Sequence, residues 1–436
     1  MATERKILLL GSGFVAGPAV GYLLRRPENH LTIACRRISH AEALANLFPR
    51  TTPIALDVND KQALDEAVSK HDLVISLIPY THHPLVIESA IKFKKNVVTT
   101  SYVSPAMKEF DQAAKENGVT ILNEVGLDPG IDHLYAVKTI KEVHSNGGKI
   151  VSFISYCGGL PAPEASNNPL GYKFSWSSRG IVEIPGHQLM QVAKPYAIYP
   201  AFAFLAYPNR DSTPFREFYN IPEAQTIIRG TLRYQGFTNF VKVLVDIGLL
   251  SSSEQEYLSP DATDIKWRDV LARVLGVTDN SESNLRAHIT SRISGISEED
   301  MDRILRGFKW IGLFSDNNVE RRGTLLDTLC ATLEEKMQYA EGERDMVLLQ
   351  HKFEVETKDG KREMWTSTLL EYGKPPGPSA MATTVGTPCG IAAQLVLDGV
   401  INKRGVLAPY TLEIINPIIE SLEKEGIKVI EEKMEY

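Results

Sequence analysis

The spacing in this chain best suited to chemistry is Gly11-Ser12-Gly13-Phe14-Val15-Ala16, a GxGxxA run that directly follows an apolar strand and opens a helical pattern. In that context Gly11 permits a tight turn and Gly13 lets the backbone approach a pyrophosphate. Ala16 allows close helix–sheet packing, and the first helical amides point at the phosphates. Ser12, Phe14 and Val15 line the same turn. The second strand ends in Cys35-Arg36-Arg37. A carboxylate there would accept from a ribose 2′-hydroxyl, whereas arginine pairs with a 2′-phosphate, so the reading favours NADP(H) over NAD(H), against the alternative of two solvated surface arginines. Asp57-Val58, after the third strand, borders the adenine unless Asp57 serves a cap or turn. Ser76-Leu77-Ile78, after the fourth, reaches the crevice at the strands' carboxyl ends, where ligands of open α/β sheets bind.

The same edge carries Ser101-Tyr102 after the fifth strand and Asp128 after the sixth. Tyr102 and Asp128 are candidate catalytic residues in the sense of proton transfer or hydrogen bonding, although Asp128-Pro129 also suits a turn and helix cap. Other suggestive side chains have plainer readings. Asp132 and His133 start a helix over Leu134 to Glu142, where capping or packing accounts for them. His82-His83 precede a proline and read as loop residues, and Cys157 has no base beside it in sequence. Cys35, Cys157, Cys330 and Cys389 lie far apart with no CxxC pair, so neither a disulfide framework nor a metal site is expected and a reducing compartment fits.

These residues need elements to hold them. Runs at Ile7–Leu10, Leu31–Ala34, Ile54–Leu56, Leu73–Ile78, Val97–Thr100 and Val119–Leu122 alternate with helical segments at Ala16–Arg25, Ala41–Leu47, Lys61–Ser69, Pro84–Lys92 and Pro105–Glu116. That alternation predicts a Rossmann-like, doubly wound parallel sheet of the α/β class. At Lys149 the character changes to a new strand, Ile150–Tyr156, followed by a Gly/Pro loop at Gly158–Pro163. A hairpin is expected at Met346–Val355 and Glu363–Leu370, around Lys358-Asp359-Gly360. The expected organisation is therefore an NADP-binding domain at 1–130, with 388–436 packing back on it. A mixed α/β substrate-binding and dimerisation domain follows at 131–238 and 343–387, with an all-helical insertion at 239–342. The 436 residues, 43% hydrophobic and 23% charged, support several cores. No stretch reads as apolar for long enough to cross a bilayer, no leader pattern precedes the first strand, and a net charge of -7 opposes nucleic-acid binding; a cytoplasmic protein is expected.

Asn123-Glu124-Val125-Gly126-Leu127-Asp128-Pro129-Gly130-Ile131-Asp132-His133 and Ser155-Tyr156-Cys157-Gly158-Gly159-Leu160-Pro161-Ala162-Pro163-Glu164 closely resemble the saccharopine dehydrogenases (saccharopine reductases) of the fungal aminoadipate route to lysine. So do Gly171–Gly180, Tyr207–Thr213 and Arg229–Phe237, so the resemblance spans nearly the whole chain. The stretches after Val182 and after Tyr372 are shorter than in the family.

The resemblance implies NADPH-dependent condensation of L-glutamate with 2-aminoadipate 6-semialdehyde to saccharopine, by a homodimer with no metal. By the same correspondence, Thr100, Ser101, Leu127, Asp128, Pro129 and Ser175 join the cofactor residues. The substrate contacts it implies are Ser101, Tyr102, Asp128, Cys157, Gly158, Phe174, Trp176, Arg210, Thr231, Leu232 and Arg233. Arg210 and Arg233 would fork onto carboxylates of a tricarboxylate product; Arg229 depends on strand register, and core packing suits Phe174 and Trp176 equally. The rival readings are a related imine reductase of the carboxynorspermidine or homospermidine synthase type, whose polyamine would need an acidic pocket, and a non-catalytic NADP-sensing protein.

Overall fold

The computed structural model describes residues 4–170, 190, 193–199, 202–208 and 211–435. The chain divides into two compact units: Met1–Cys157 with Asp211–Arg229 and Met346–Tyr436, and Gly158–Arg210 with Gly230–Asp345. The helical segment expected at 239–342 lies wholly within the second of these.

In the first unit, β1 (Arg5–Leu10), β2 (Asn29–Cys35), β3 (Thr51–Ala55), β4 (Leu73–Ser76), β5 (Asn96–Thr99) and β6 (Thr120–Leu122) form a parallel sheet in the order β6-β5-β4-β1-β2-β3. The winding direction reverses between β1 and β4, which is the doubly wound topology read from the sequence. Ile7, Leu8, Leu9 and Leu10 are buried on both faces, as central parallel strands require. β3 begins at Thr51 rather than Ile54, and its Pro53 is tolerated because this strand has a neighbour on one side only. The helices are Ala16–Leu23, Ile38–Ala45, Lys61–Ser69, His83–Lys92, and a pair, Pro105–Lys108 and Asp111–Glu116, where one was expected.

The closing segment adds a seventh parallel strand, the short Gly405–Leu407, beside β6. Before it, the helix Ala380–Leu397 packs on Ala16–Leu23, with Gly386 against the Val15 carbonyl. This helix corrects the bilayer reading: at 18 residues it is long and apolar enough to cross a membrane, and most of it is buried inside the first unit.

A second sheet begins with β7 (Lys149–Pro161). The strands Asp345–Glu356 and Arg362–Tyr372 form the expected hairpin, paired within the first unit from Met346↔Tyr372 to Glu356↔Arg362, and Ile430–Glu435 runs antiparallel to the latter. In the second unit, β8 (Lys194–Tyr196) pairs antiparallel with β9 (Phe204–Pro208), and β9 with the end of β10 (Thr226–Tyr234), so Thr231 lies opposite Tyr207 and Arg233 opposite Leu205. The expected loop at Gly158–Pro163 is instead the continuation of β7 through Pro161. Gly158 belongs there for a steric reason: a Cβ would sit 2.9 Å from Leu232 Cβ. Between β10 and Asp345 the helices Phe237–Asp246, Trp267–Leu275, Glu282–Arg292, Glu298–Ile311 and Leu325–Lys336 enclose a separate core around Phe240, Leu271, Ile304 and Phe308.

Candidate active site

The turn after β1 has the form a dinucleotide needs. Gly11 has φ +103°, and a Cβ on it would lie 2.8 Å from the Leu77 carbonyl oxygen. Nothing lies within 4 Å of where a Gly13 Cβ would be, so the backbone there is open to a ligand. Ser12 is half-buried, Phe14 exposed, Val15 buried, and Ala16 starts the helix. Arg36 and Arg37 are exposed just past Cys35 at the end of β2. Asp57 accepts from Asn59 N at 3.0 Å and Asn59 Nδ2 at 2.9 Å; these bonds hold its carboxyl below the usual range, with the Arg36 charge adding to the effect. It is thus a turn residue whose other oxygen is compatible with a ligand, while Asp60 caps the next helix. Val58 and Ser76 are buried; Leu77, Ile78 and Thr100 are partly exposed at the strand ends. An open Gly13 backbone at the switch point, with two exposed arginines after β2, fits an NADP(H) diphosphate and 2′-phosphate.

The structure brings Tyr102 and Asp128 together across a sequence separation of 26: Tyr102 Oη donates to Asp128 Oδ1 at 2.6 Å. Asp128 sits in the turn after β6, closed by Gly126 N–H donating to the Pro129 carbonyl at 2.9 Å; the Asp128–Pro129 peptide is cis. Gly130 has φ +150°, and a Cβ would fall 2.0 Å from the Gly126 carbonyl oxygen, so the turn needs glycine. Leu127 and Pro129 are buried and Asp128 half-buried.

Arg229, 1% exposed, donates from Nη2 to Asp128 Oδ1 at 2.7 Å and to Tyr102 Oη at 3.1 Å, and pairs with Asp132. Burial opposes its charge, but the charges of Asp132 and then Asp128 hold its proton well above the ordinary value. The Phe215 ring, 4.1 Å from the guanidinium carbon, supplies a further cation–π contact. Arg229 therefore serves the site as an internal counter-ion to two carboxylates.

Behind it lies a second buried group. His133 Nε2 pairs with Glu124 Oε2 at 2.9 Å, and His133 Nδ1 shares a hydrogen bond with Tyr219 Oη at 2.6 Å. Glu124 also accepts from Val103 N at 2.9 Å and Tyr410 Oη at 2.7 Å. Burial would raise the Glu124 pKa, yet its bond to His133 and these donors bring it below the ordinary range. The helix starts at Ile131 rather than Leu134, with Gly130 as its N-cap, so Asp132 lies within its first turn and accepts from Gly130 N at 2.6 Å instead of capping it.

His83 corrects the sequence reading more sharply. It is the first residue of the helix His83–Lys92, 1% exposed, with Nδ1 2.9 Å from Ser76 Oγ and Nε2 2.8 Å from Ser101 Oγ. The clue available in sequence was proline at the second position of a helix start.

Cys157 is half-buried at the edge of the first unit's core. The remaining described site residues belong to the second unit. Leu232 is buried and Gly158 lies against it. Thr231 and Arg233, two apart on β10, share a face and are half-buried; Arg233 donates to the Leu232 carbonyl at 2.8 Å and lies 5.5 Å from the Phe237 ring centroid. Phe174, Ser175, Trp176 and Arg210 lie outside the described residues. Sequence reasoning missed His83, Glu124 and Asp132 as parts of the site and left Arg229 open; its parity with Thr231 and Arg233 was the available signal. Among the described residues no group of three or more His, Cys, Asp or Glu side chains is placed to hold a metal ion.

The family model described as "Saccharopine dehydrogenase NADP binding domain" matches residues 7–122, and "Saccharopine dehydrogenase C-terminal domain" matches 126–427. The chain is 59% identical to a Schizosaccharomyces pombe protein named saccharopine dehydrogenase [NADP(+), L-glutamate-forming], over 98% of each chain. To the Saccharomyces cerevisiae protein of the same name it is 53% identical, over 97% of this chain and 98% of that one. A solved structure of apo saccharopine dehydrogenase (L-Glu forming) from Saccharomyces cerevisiae superimposes with a TM-score of 0.91 at 52% identity, covering 99% of this chain and 100% of the other.

Proposed function

Because the chain belongs to the saccharopine dehydrogenase family, we infer that it is an NADP(H)-dependent oxidoreductase that interconverts saccharopine with L-glutamate and an amino-acid aldehyde, a step of lysine biosynthesis. In the forward direction the glutamate amine attacks the aldehyde carbon, water leaves, and the imine carbon is reduced while its nitrogen takes a proton. The bound dinucleotide supplies the hydride. The aldehyde is 2-aminoadipate 6-semialdehyde, and the enzyme works as a homodimer in the cytoplasm; these finer points rest on the family resemblance.

The observation that carries the reading is the Tyr102–Asp128–Arg229 cluster in the same unit as the dinucleotide turn. Tyr102 and Asp128 orient the reacting nitrogen and pass or hold its proton, and Arg229 keeps Asp128 aimed by bonding the oxygen that Tyr102 also bonds. Arg233 and Thr231, with Arg210, take substrate carboxylates. Gly11–Val15, Arg36 and Arg37 hold the dinucleotide.

The test is NADPH oxidation by purified protein. Turnover requires L-glutamate and the semialdehyde together; oxidation with the aldehyde alone at the same rate would point to a simple aldehyde reductase.

A further inference from the structure

We propose that His83 is a positioning residue for this reaction, fixing the segment from Thr100 to Val103 that carries Ser101 and Tyr102; this rests on the function proposed above. The imidazole lies in the interior with one nitrogen on each of two strand ends. Nδ1 meets Ser76 Oγ at the end of β4, and Nε2 meets Ser101 Oγ just past β5, with Thr99 Oγ1 3.2 Å away.

The segment is held from its other side as well. Ser101 O accepts from Glu124 N at 3.2 Å, and Val103 N donates to Glu124 Oε1 at 2.9 Å. Tyr102, between these anchors, is thereby presented to Asp128. Without His83, Ser101 would lose the bond that sets its hydroxyl, and β4 and β5 would lose their side-chain tie at the cofactor edge.

Burial pushes the His83 pKa down to about 4, so the ring stays neutral under ordinary conditions. A neutral imidazole has one donor and one acceptor nitrogen, which matches a bridge between two hydroxyls, each able to give or take. Among the described residues a fixed charge at this point would meet only hydroxyls: its hydrogen-bond partners are Ser76, Thr99 and Ser101. A role in positioning hydroxyls therefore fits the site better than one in proton storage.

The experiment compares His83→Phe, which keeps a planar ring and loses both bonds, with His83→Gln, which keeps a donor and an acceptor. Each is made alone and in a Ser101→Ala background, with kcat and KM for saccharopine and Tm measured on the full chain. His83→Phe is expected to lower kcat/KM about tenfold, the scale of one lost hydrogen bond, mostly through kcat. His83→Gln recovers a large part of that, and His83→Phe added to Ser101→Ala costs less than about threefold more, because the two act through one another. Equal losses in both backgrounds, or glutamine no better than phenylalanine with activity simply following Tm, would overturn the inference. If His83→Phe does not fold, His83→Gln in the two backgrounds decides by the same non-additivity. Saccharopine oxidation by the unmodified chain is the reference: its absence overturns the proposed function and this inference together, whereas a normal reference with additive variants overturns this inference alone.

Discussion

Tyr102 Oη and Arg229 Nη2 both donate to one oxygen, Asp128 Oδ1, at 2.6 and 2.7 Å. The carboxylate is thus fixed by a neutral donor and a charged one, and removing either should loosen it without removing it. Tyr102→Phe is expected to lower kcat about tenfold, the cost of one hydrogen bond, whereas Asp128→Asn should cost about a hundredfold or more if the carboxylate moves a proton. Steady-state kinetics with saccharopine and NADP+ checks the ordering; an Asp128→Asn enzyme as active as the parent would remove Asp128 from proton transfer.

Arg229 balances Asp128 and Asp132 inside the first unit. Arg229→Met leaves two carboxylates without their counter-ion, so a loss of about 3–5 kcal/mol is expected, as when one partner of a buried pair is removed. Urea denaturation reads it directly. A loss below about 1 kcal/mol, the scale of an exposed pair, would show that the network is solvated rather than buried.

The role proposed for Arg36 and Arg37 is to set the cofactor preference. Replacing both with alanine should reduce the kcat/KM preference for NADPH over NADH by on the order of a hundredfold, from losing charge-assisted bonds to the 2′-phosphate. An unchanged ratio would assign those side chains to the solvent.

His351 gives a prediction in pH. It is buried beside Phe153 and Phe353, and burial, reinforced by the Arg229 charge, pushes its pKa down to about 3. The unfolded imidazole takes up a proton below about pH 6.5 while the folded one stays neutral to about 3, so stability is full above 6.5 and falls between those values by up to about 1.4 kcal/mol per pH unit. At about pH 5 the loss is roughly 2 kcal/mol. Neither ring nitrogen has a hydrogen-bond partner among the described residues, so His351→Leu strands no polar group. Its Tm should therefore exceed the parent's by more at pH 5 than at pH 8; a gap independent of pH would contradict the shifted titration.

Much of this was legible in the residues. The GxGxxA turn, the parallel strands and the arginines after β2 follow from local periodicity and turn chemistry, which a single chain displays openly. Tyr102 and Asp128 each follow a strand at the same sheet edge and match positions of the resembled family, and the fold brings them into contact. What stayed hidden depends on long-range pairing. Glu124, His133 and Tyr410 are drawn together from residues 286 apart in sequence at the extremes, and His83 looked like a loop residue because its burial comes from two strands meeting around it. The strand through Gly158–Pro161 was likewise masked by turn-forming residues, of which Gly158 is explained by Leu232 on the neighbouring strand.

The proposed reaction is a choice of bond as well as of cofactor. Saccharopine's secondary amine can be oxidised on either side, giving L-glutamate with the semialdehyde, or lysine with 2-oxoglutarate. The most direct measurement is to incubate the protein with saccharopine and NADP+ and quantify all four products against the NADPH formed. One L-glutamate is expected for each NADPH, with no lysine; NADPH accompanied by lysine and 2-oxoglutarate, or no NADPH at all, would refute the proposed reaction.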